Sequence, residues 1–118
     1  MKILTVDDDA QVRKLIERFL VAKGHEVVTA ENGEQGVAVA KGERPDLIIM
    51  DLNMPVMDGF GATRALKADP DTKHIPILVL TAEDAMSSYD AIYDAGADGY
   101  LAKPIKFPAL LARIAEYA

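Results

Sequence analysis

An aspartate stands where a buried run stops. Leu47-Ile48-Ile49-Met50 delivers Asp51, and Pro55 and Gly59 mark the loop that leaves it. Four large apolar residues in a row read as a strand covered on both faces, as in parallel sheets flanked by helices. Alone, Asp51 has two readings, a turn or capping residue or a ligand-site group at the C-terminal edge of a sheet. The other strand ends decide between them. Ile3 to Val6 runs into Asp7-Asp8-Asp9, Ile77 to Leu80 into Thr81, and the stretch from Gly99 to Ala102 into Lys103. In a parallel sheet these ends share one edge, so residues far apart in sequence converge on one crevice at the switch point of strand order.

Three carboxylates crowded together repel, and the remedies are a raised pKa on one of them or a bound divalent cation. An all-oxygen set without His or Cys selects a hard ion. Mg²⁺ fits best, with Mn²⁺ able to take its place, because it accepts one or two carboxylates plus waters and phosphate oxygens. A cation beside a carboxylate, a hydroxyl and an ammonium group is a place for a phosphoryl group to arrive. Asp51 is then the nucleophile, Lys103 and Thr81 share the phosphoryl charge with the metal, and the product is an acyl phosphate on Asp51.

The elements that must position these groups are legible in outline. After Asp9, which is assigned to capping, Val12, Leu15, Ile16, Phe19 and Leu20 fall on one helical stripe that ends at Gly24. His25 to Ala30 reads as a second strand, Asn32-Gly33 as a turn, and Glu34 to Lys41 as a weaker helix containing Gly36 and stopping at Gly42. A third helix runs after Gly59 to Asp69-Pro70, a fourth from Ala85 to Ala95, and a last begins near Pro108. Strand and helix alternate five times. Short connections then imply right-handed crossovers and a five-stranded parallel sheet in an α/β sandwich with helices on both faces.

Composition bounds the rest. The chain has 118 residues, half of them apolar, which suits one domain spanning 1-118 with a real core. There is no cysteine, so disulfides, thiolate metal sites and Cys nucleophiles are excluded. The net charge of -6, with scattered Lys and Arg, argues against nucleic-acid binding by this domain. No apolar run reaches the ~20 residues of a membrane helix, and Met1 to Asp7 leads straight into structure without a signal-peptide pattern. The expectation is a cytoplasmic protein with no membrane contact.

Together these motifs resemble a receiver domain of a two-component response regulator. The resemblance runs from Lys2 to the C-terminus through Val6-Asp7-Asp8, Met50-Asp51-Leu52-Asn53-Met54-Pro55 with Asp58-Gly59, Leu80-Thr81-Ala82, and Ala95-Gly96-Ala97-Asp98-Gly99-Tyr100-Leu101-Ala102-Lys103-Pro104. Each is weak alone; in this order, each at its predicted strand end, they are specific. The resemblance implies the flavodoxin-like strand order 2-1-3-4-5. It implies Asp8 as a direct metal ligand, Asp7 acting through water, and the backbone carbonyl of Asn53 completing the protein ligands beside Asp51. It further implies a switch in which Tyr100 turns inward as Thr81 moves to the phosphoryl group, room for that movement at the small Ala82, and a cis bond before Pro104.

Asn53 and Glu83 flank the path of the attacking water in this family, and the pair is the one found in chemotaxis-type single-domain regulators, so a short-lived phosphoryl group is expected. Tyr89 and Tyr93, spaced one helical turn apart, would join Tyr100 on the face where such proteins dock targets or dimerise; the alternative is a pair that only supports its helix. The implied partners are a sensor histidine kinase or phosphotransfer protein and a downstream protein target, or an attached output domain if the chain is a fragment. Two departures from the family pattern are Ile105, where Phe is usual, and Lys106, a poor helix cap.

Three rivals remain at this stage. A haloacid-dehalogenase-type phosphohydrolase would want an acid two residues beyond its nucleophile, where this chain has Asn53. A receiver-shaped module that never takes phosphate would tend to lack the acidic residues kept here. A nucleotide-binding domain would need a glycine-rich phosphate loop after the first strand, where three aspartates stand.

Overall fold

The computed structural model describes residues 1–52, 57–82 and 89–117, apart from the side chains of Ala82 and Tyr89. Five strands and five helices alternate: β1 (Lys2–Val6), α1 (Ala10–Ala22), β2 (Glu26–Ala30), α2 (Gly33–Glu43), β3 (Leu47–Asp51), α3 (Gly59–Ala68), β4 (Ile77–Ala82), α4 (Tyr89–Asp94), β5 (Gly99–Lys103) and α5 (Phe107–Glu116). All pairings are parallel and the order is β2-β1-β3-β4-β5, the flavodoxin-like arrangement expected from the sequence.

Alternation along each strand splits the core into two layers. Ile3, Leu47, Ile49, Leu78 and Leu80 face Ile16 and Leu20 of α1 and Leu110 and Ile114 of α5. Leu4, Val6, Ile48, Met50, Ile77 and Val79 face Ala40 of α2, Ala62 and Leu66 of α3, and Ile92 of α4. The five residues of β3 are all buried, which is why that strand reads as a continuous apolar run.

Side chains set several helix starts. Asp9 accepts from the Gln11 and Val12 N–H groups at 2.9 and 3.3 Å, and Asp58 from Gly61 N–H at 2.8 Å. Lys106 makes no side-chain cap, and α5 begins with Pro108 in its first turn. Two expectations need correction. Leu15 belongs to the predicted apolar stripe of α1 yet is 56% exposed, because α1 rests on one face of the sheet through Ile16 and Leu20 and no described element covers its flank. The weaker second helix does not stop at Gly42 but runs from Gly33 to Glu43: α2 rests on Val6 of β1 at Gly36 and joins through Ala40 the core cluster it shares with α3 and α4, and packing overrides poor propensity. Of the fourth helix, only Tyr89–Asp94 lies within the described residues.

Candidate functional site

Parallel register brings the polar strand ends together. Val6 pairs with Met50, so Asp7 and Asp51 leave neighbouring strands in step, and Asp51 itself pairs with Leu80, the residue before Thr81. On the far side Ala82 pairs with Lys103. Asp7, Asp8 and Asp51 each offer a carboxylate oxygen, all within 4.8 Å of one another. Asp7 and Asp51 are both 2% exposed, while Asp8 is exposed at the rim.

Lys103 reaches across from β5 and its Nζ donates to Asp51 Oδ1 at 2.7 Å. The Lys103-Pro104 peptide bond that follows is cis. Asp7 is held on three sides: its N–H donates to Ala30 O at 3.1 Å, its Oδ1 accepts from Asp9 N–H at 2.9 Å, and its carbonyl accepts from Arg13 at 2.8 Å. Its Oδ2 is buried and has no partner among the described residues. Burial pushes the Asp7 carboxyl up to about 6; the Asp9 N–H draws it back, the Asp51 charge adds to the rise, Lys103 opposes it and Asp8 adds again. A buried carboxylate with a spare oxygen and two anionic neighbours is a place for a cation. The residues fit Mg²⁺: three carboxylates of hard oxygen, one of them at the open rim where water can complete the shell.

Thr81 is fully buried, and its Oγ1 likewise has no hydrogen-bond partner among the described residues. By alternation with Ile77 and Val79 it faces the α2–α4 layer, the layer that Tyr100 packs against. Tyr100 is half-buried and meets the ring of Tyr93 edge-on, with centroids 6.0 Å apart and planes at 77°, and Tyr93 is 50% exposed. Asn53 and Glu83 lie outside the described residues, as do the side chains of Ala82 and Tyr89.

Arg13 was not singled out from the sequence. The signal was there, since a long cation one turn into a helix capped by Asp9 can reach back to the turn that carries Asp7.

The comparisons with known proteins agree with this geometry. The family model for the response regulator receiver domain matches residues 3–115. Response regulator MprA of Mycobacterium leprae is 44% identical over 114 residues, 97% of this chain but 49% of that protein. Probable transcriptional regulator ycf27 of Porphyridium aerugineum is 38% identical over 96% of this chain and 46% of its own length. The chain thus spans about half the length of the curated relatives it matches. Among solved structures, chemotaxis protein CheY4 of Vibrio cholerae superposes with a TM-score of 0.93 at 37% identity, covering 99% of this chain and 98% of that one. The receiver domain of sensor histidine kinase PA1611 from Pseudomonas aeruginosa, solved with a magnesium ion coordinated in its active-site cleft, gives 0.90 at 34% identity, covering 98% and 95%. A parallel sheet in the order 2-1-3-4-5, an acidic pocket at its C-terminal edge bridged by a lysine, and a family match over nearly the whole length place this chain among the receiver domains of two-component response regulators.

Proposed function

We propose that the chain is a phosphorylation-controlled switch in which Asp51 accepts a phosphoryl group in a Mg²⁺-dependent reaction. The observation that carries this is the Lys103 ammonium, 2.7 Å from Asp51 Oδ1, in a pocket whose other walls are the carboxylates of Asp7 and Asp8. An Asp51 oxygen attacks phosphorus as the P–N bond to a donor phosphohistidine breaks, and the imidazole leaves with the electron pair. Lys103 shifts from the carboxylate toward the incoming phosphoryl oxygens, and the Thr81 hydroxyl, buried without a partner among the described residues, donates to another. Bound Mg²⁺ supplies charge neutralisation for the phosphoryl oxygens. Asp8 and Asp51 would hold it directly, with the Asn53 carbonyl, and Asp7 through water.

The donor is a sensor histidine kinase or a phosphotransfer protein. An apolar groove of about 250 Å³ lined by Val12, Leu15, Ile105 and Phe107 shares Lys103 with the site and offers such a partner a footing at the same edge. Phosphorylation adds roughly 1.5 to 2 negative charges. As Thr81 moves toward them, Tyr100 follows on the same layer of the sheet, changing the surface it forms with Tyr93 and, in this reading, Tyr89. That surface meets the downstream target, or an attached output domain. Asn53 and Glu83 set the phosphoryl lifetime. Catalysis is confined to the chain's own phosphorylation and dephosphorylation, in the cytoplasm.

The test compares wild type with Asp51→Asn, each with a small-molecule phosphodonor, with and without Mg²⁺, by intact mass. Wild type gains one phosphoryl mass only with Mg²⁺, and Asp51→Asn gains none. Equal labelling of the two proteins sinks the reading.

A further inference from the structure

The chain that leaves Asp51 returns to α3 through Met57, and Met57 is held by a helix remote in sequence. Its φ of 51° lies in the left-handed region, unusual for a side chain of this size. Its carbonyl lies against the Cα of Gly33, the first residue of α2. A Cβ at position 33 would stand 2.0 Å from Met57 O, 2.9 Å from Met57 C and 3.2 Å from the Ala62 Cβ. No rotamer relieves a clash with a carbonyl, so the two backbones would have to part by about 1 Å. The other end of the same loop is as close. A Cβ on Gly59 would stand 2.5 Å from the carbonyl oxygen of Asp51 itself, and Gly59 N–H donates to Leu52 O at 3.0 Å.

The seat on α2 is itself fixed. Asn32 Oδ1 accepts from Gln35 N–H at 2.8 Å, and Gln35 Oε1 accepts from Glu31 N–H at 2.6 Å, so two free donors near the helix start are tied down. Gly42, in the last turn of the same helix, has nothing within 4 Å of where its Cβ would be. What matters at position 33 is therefore the missing side chain against one particular carbonyl.

We infer that Gly33 is a positioning residue for the phosphoryl site: a bare seat on α2 that fixes Met57 and, through it, the start of α3 at Gly59, which packs on the Asp51 carbonyl. The inference rests on the reading of Asp51 as acceptor beside a cation, because Met57 leads within two residues to Gly59, which lies against the carbonyl of Asp51 itself. A side chain at 33 displaces Met57 and the Gly59 end of α3 from the Asp51 backbone and weakens the cation site without touching any carboxylate.

The experiment titrates Gly33→Ala, Gly42→Ala and wild type with MgCl₂ by calorimetry, well below each melting temperature. The same proteins are then labelled by a small-molecule phosphodonor across a Mg²⁺ series. Gly33→Ala should bind Mg²⁺ about tenfold more weakly and need correspondingly more for half-maximal labelling, the scale seen when support around metal ligands is removed. Gly42→Ala should match wild type in both and, being a helix-favouring change in open space, should raise stability. The double variant Gly33→Ala/Gly42→Ala therefore serves if the single one folds poorly. A folded Gly33 variant with wild-type Mg²⁺ affinity overturns the inference, as do equal shifts in both alanine variants, or loss of the fold in the single and double variants alike. If wild type binds no Mg²⁺ and takes no label, the phosphoryl-site reading falls and takes this one with it; if wild type does both and Gly33→Ala is unchanged, only this inference falls.

Discussion

Asp7 shows how one side chain can be tuned by the company it keeps. Its backbone and one carboxylate oxygen are engaged, its other oxygen is buried without a partner among the described residues, and its pKa is raised to about 6, burial being the largest cause. In an unfolded chain the same group titrates at about 3.9. Between those values the folded state holds the extra proton, so stability without metal falls as pH rises through about 4 to 6, by on the order of 3 kcal/mol in full. Urea denaturation in EDTA at pH 4.5 and 7.5 should show about 2 kcal/mol of this loss, and Asp7→Asn should remove most of it. An identical pH profile for the variant would mean that another group carries the dependence.

At the scale of elements, periodicity and burial part company on α1. Leu15 reads as part of the apolar stripe of an amphipathic helix, yet it is 56% exposed, whereas Leu66 of α3 is 0% exposed. Leu66 closes the layer between α3 and the sheet beside Ile75 and Val79. Its replacement by alanine should cost 2 to 5 kcal/mol, roughly, through lost transfer energy and the cavity left behind. Leu15→Ala should stay within about 0.5 kcal/mol of wild type. Denaturant midpoints at constant slope measure both. A large loss at Leu15 would show that the apolar groove it lines closes in solution.

Across the whole molecule, the order β2-β1-β3-β4-β5 puts β1 and β3 side by side at the centre, so the two strands that carry carboxylates are neighbours. Gathering three acidic groups there is unfavourable for a chain that already bears a net charge of -6, and a divalent cation relieves it. Ligand binding to the folded state alone adds RT ln(1 + [L]/Kd), about 1.4 kcal/mol at ten times Kd, or about 5 °C in melting temperature for a domain of this size. Mg²⁺ should give that rise in thermal scans, EDTA should reverse it, and Asp8→Asn should abolish most of it. A rise of the same size in Asp8→Asn would place the ion elsewhere.

Much of this was readable beforehand because it is local. Buried parallel strands announce themselves as apolar runs, and a polar residue ending each run places Asp7, Asp51, Thr81 and Lys103 on one edge as soon as the sheet is known to be parallel. Helix existence followed from periodicity, and Asp9 as a cap from its position before the apolar stripe. The exposure of Leu15, the reach of Arg13 to the Asp7 carbonyl, and the seat of Met57 on Gly33 could not be read in this way. Each depends on how closely two surfaces approach once packed, and no pattern within one segment encodes that distance. Which residues gather at the sheet edge was thus decided by the sequence alone; how closely Met57 is held was decided only when α2 packed against it, because side-chain type is a local property and a backbone approach that leaves no room for a Cβ is not.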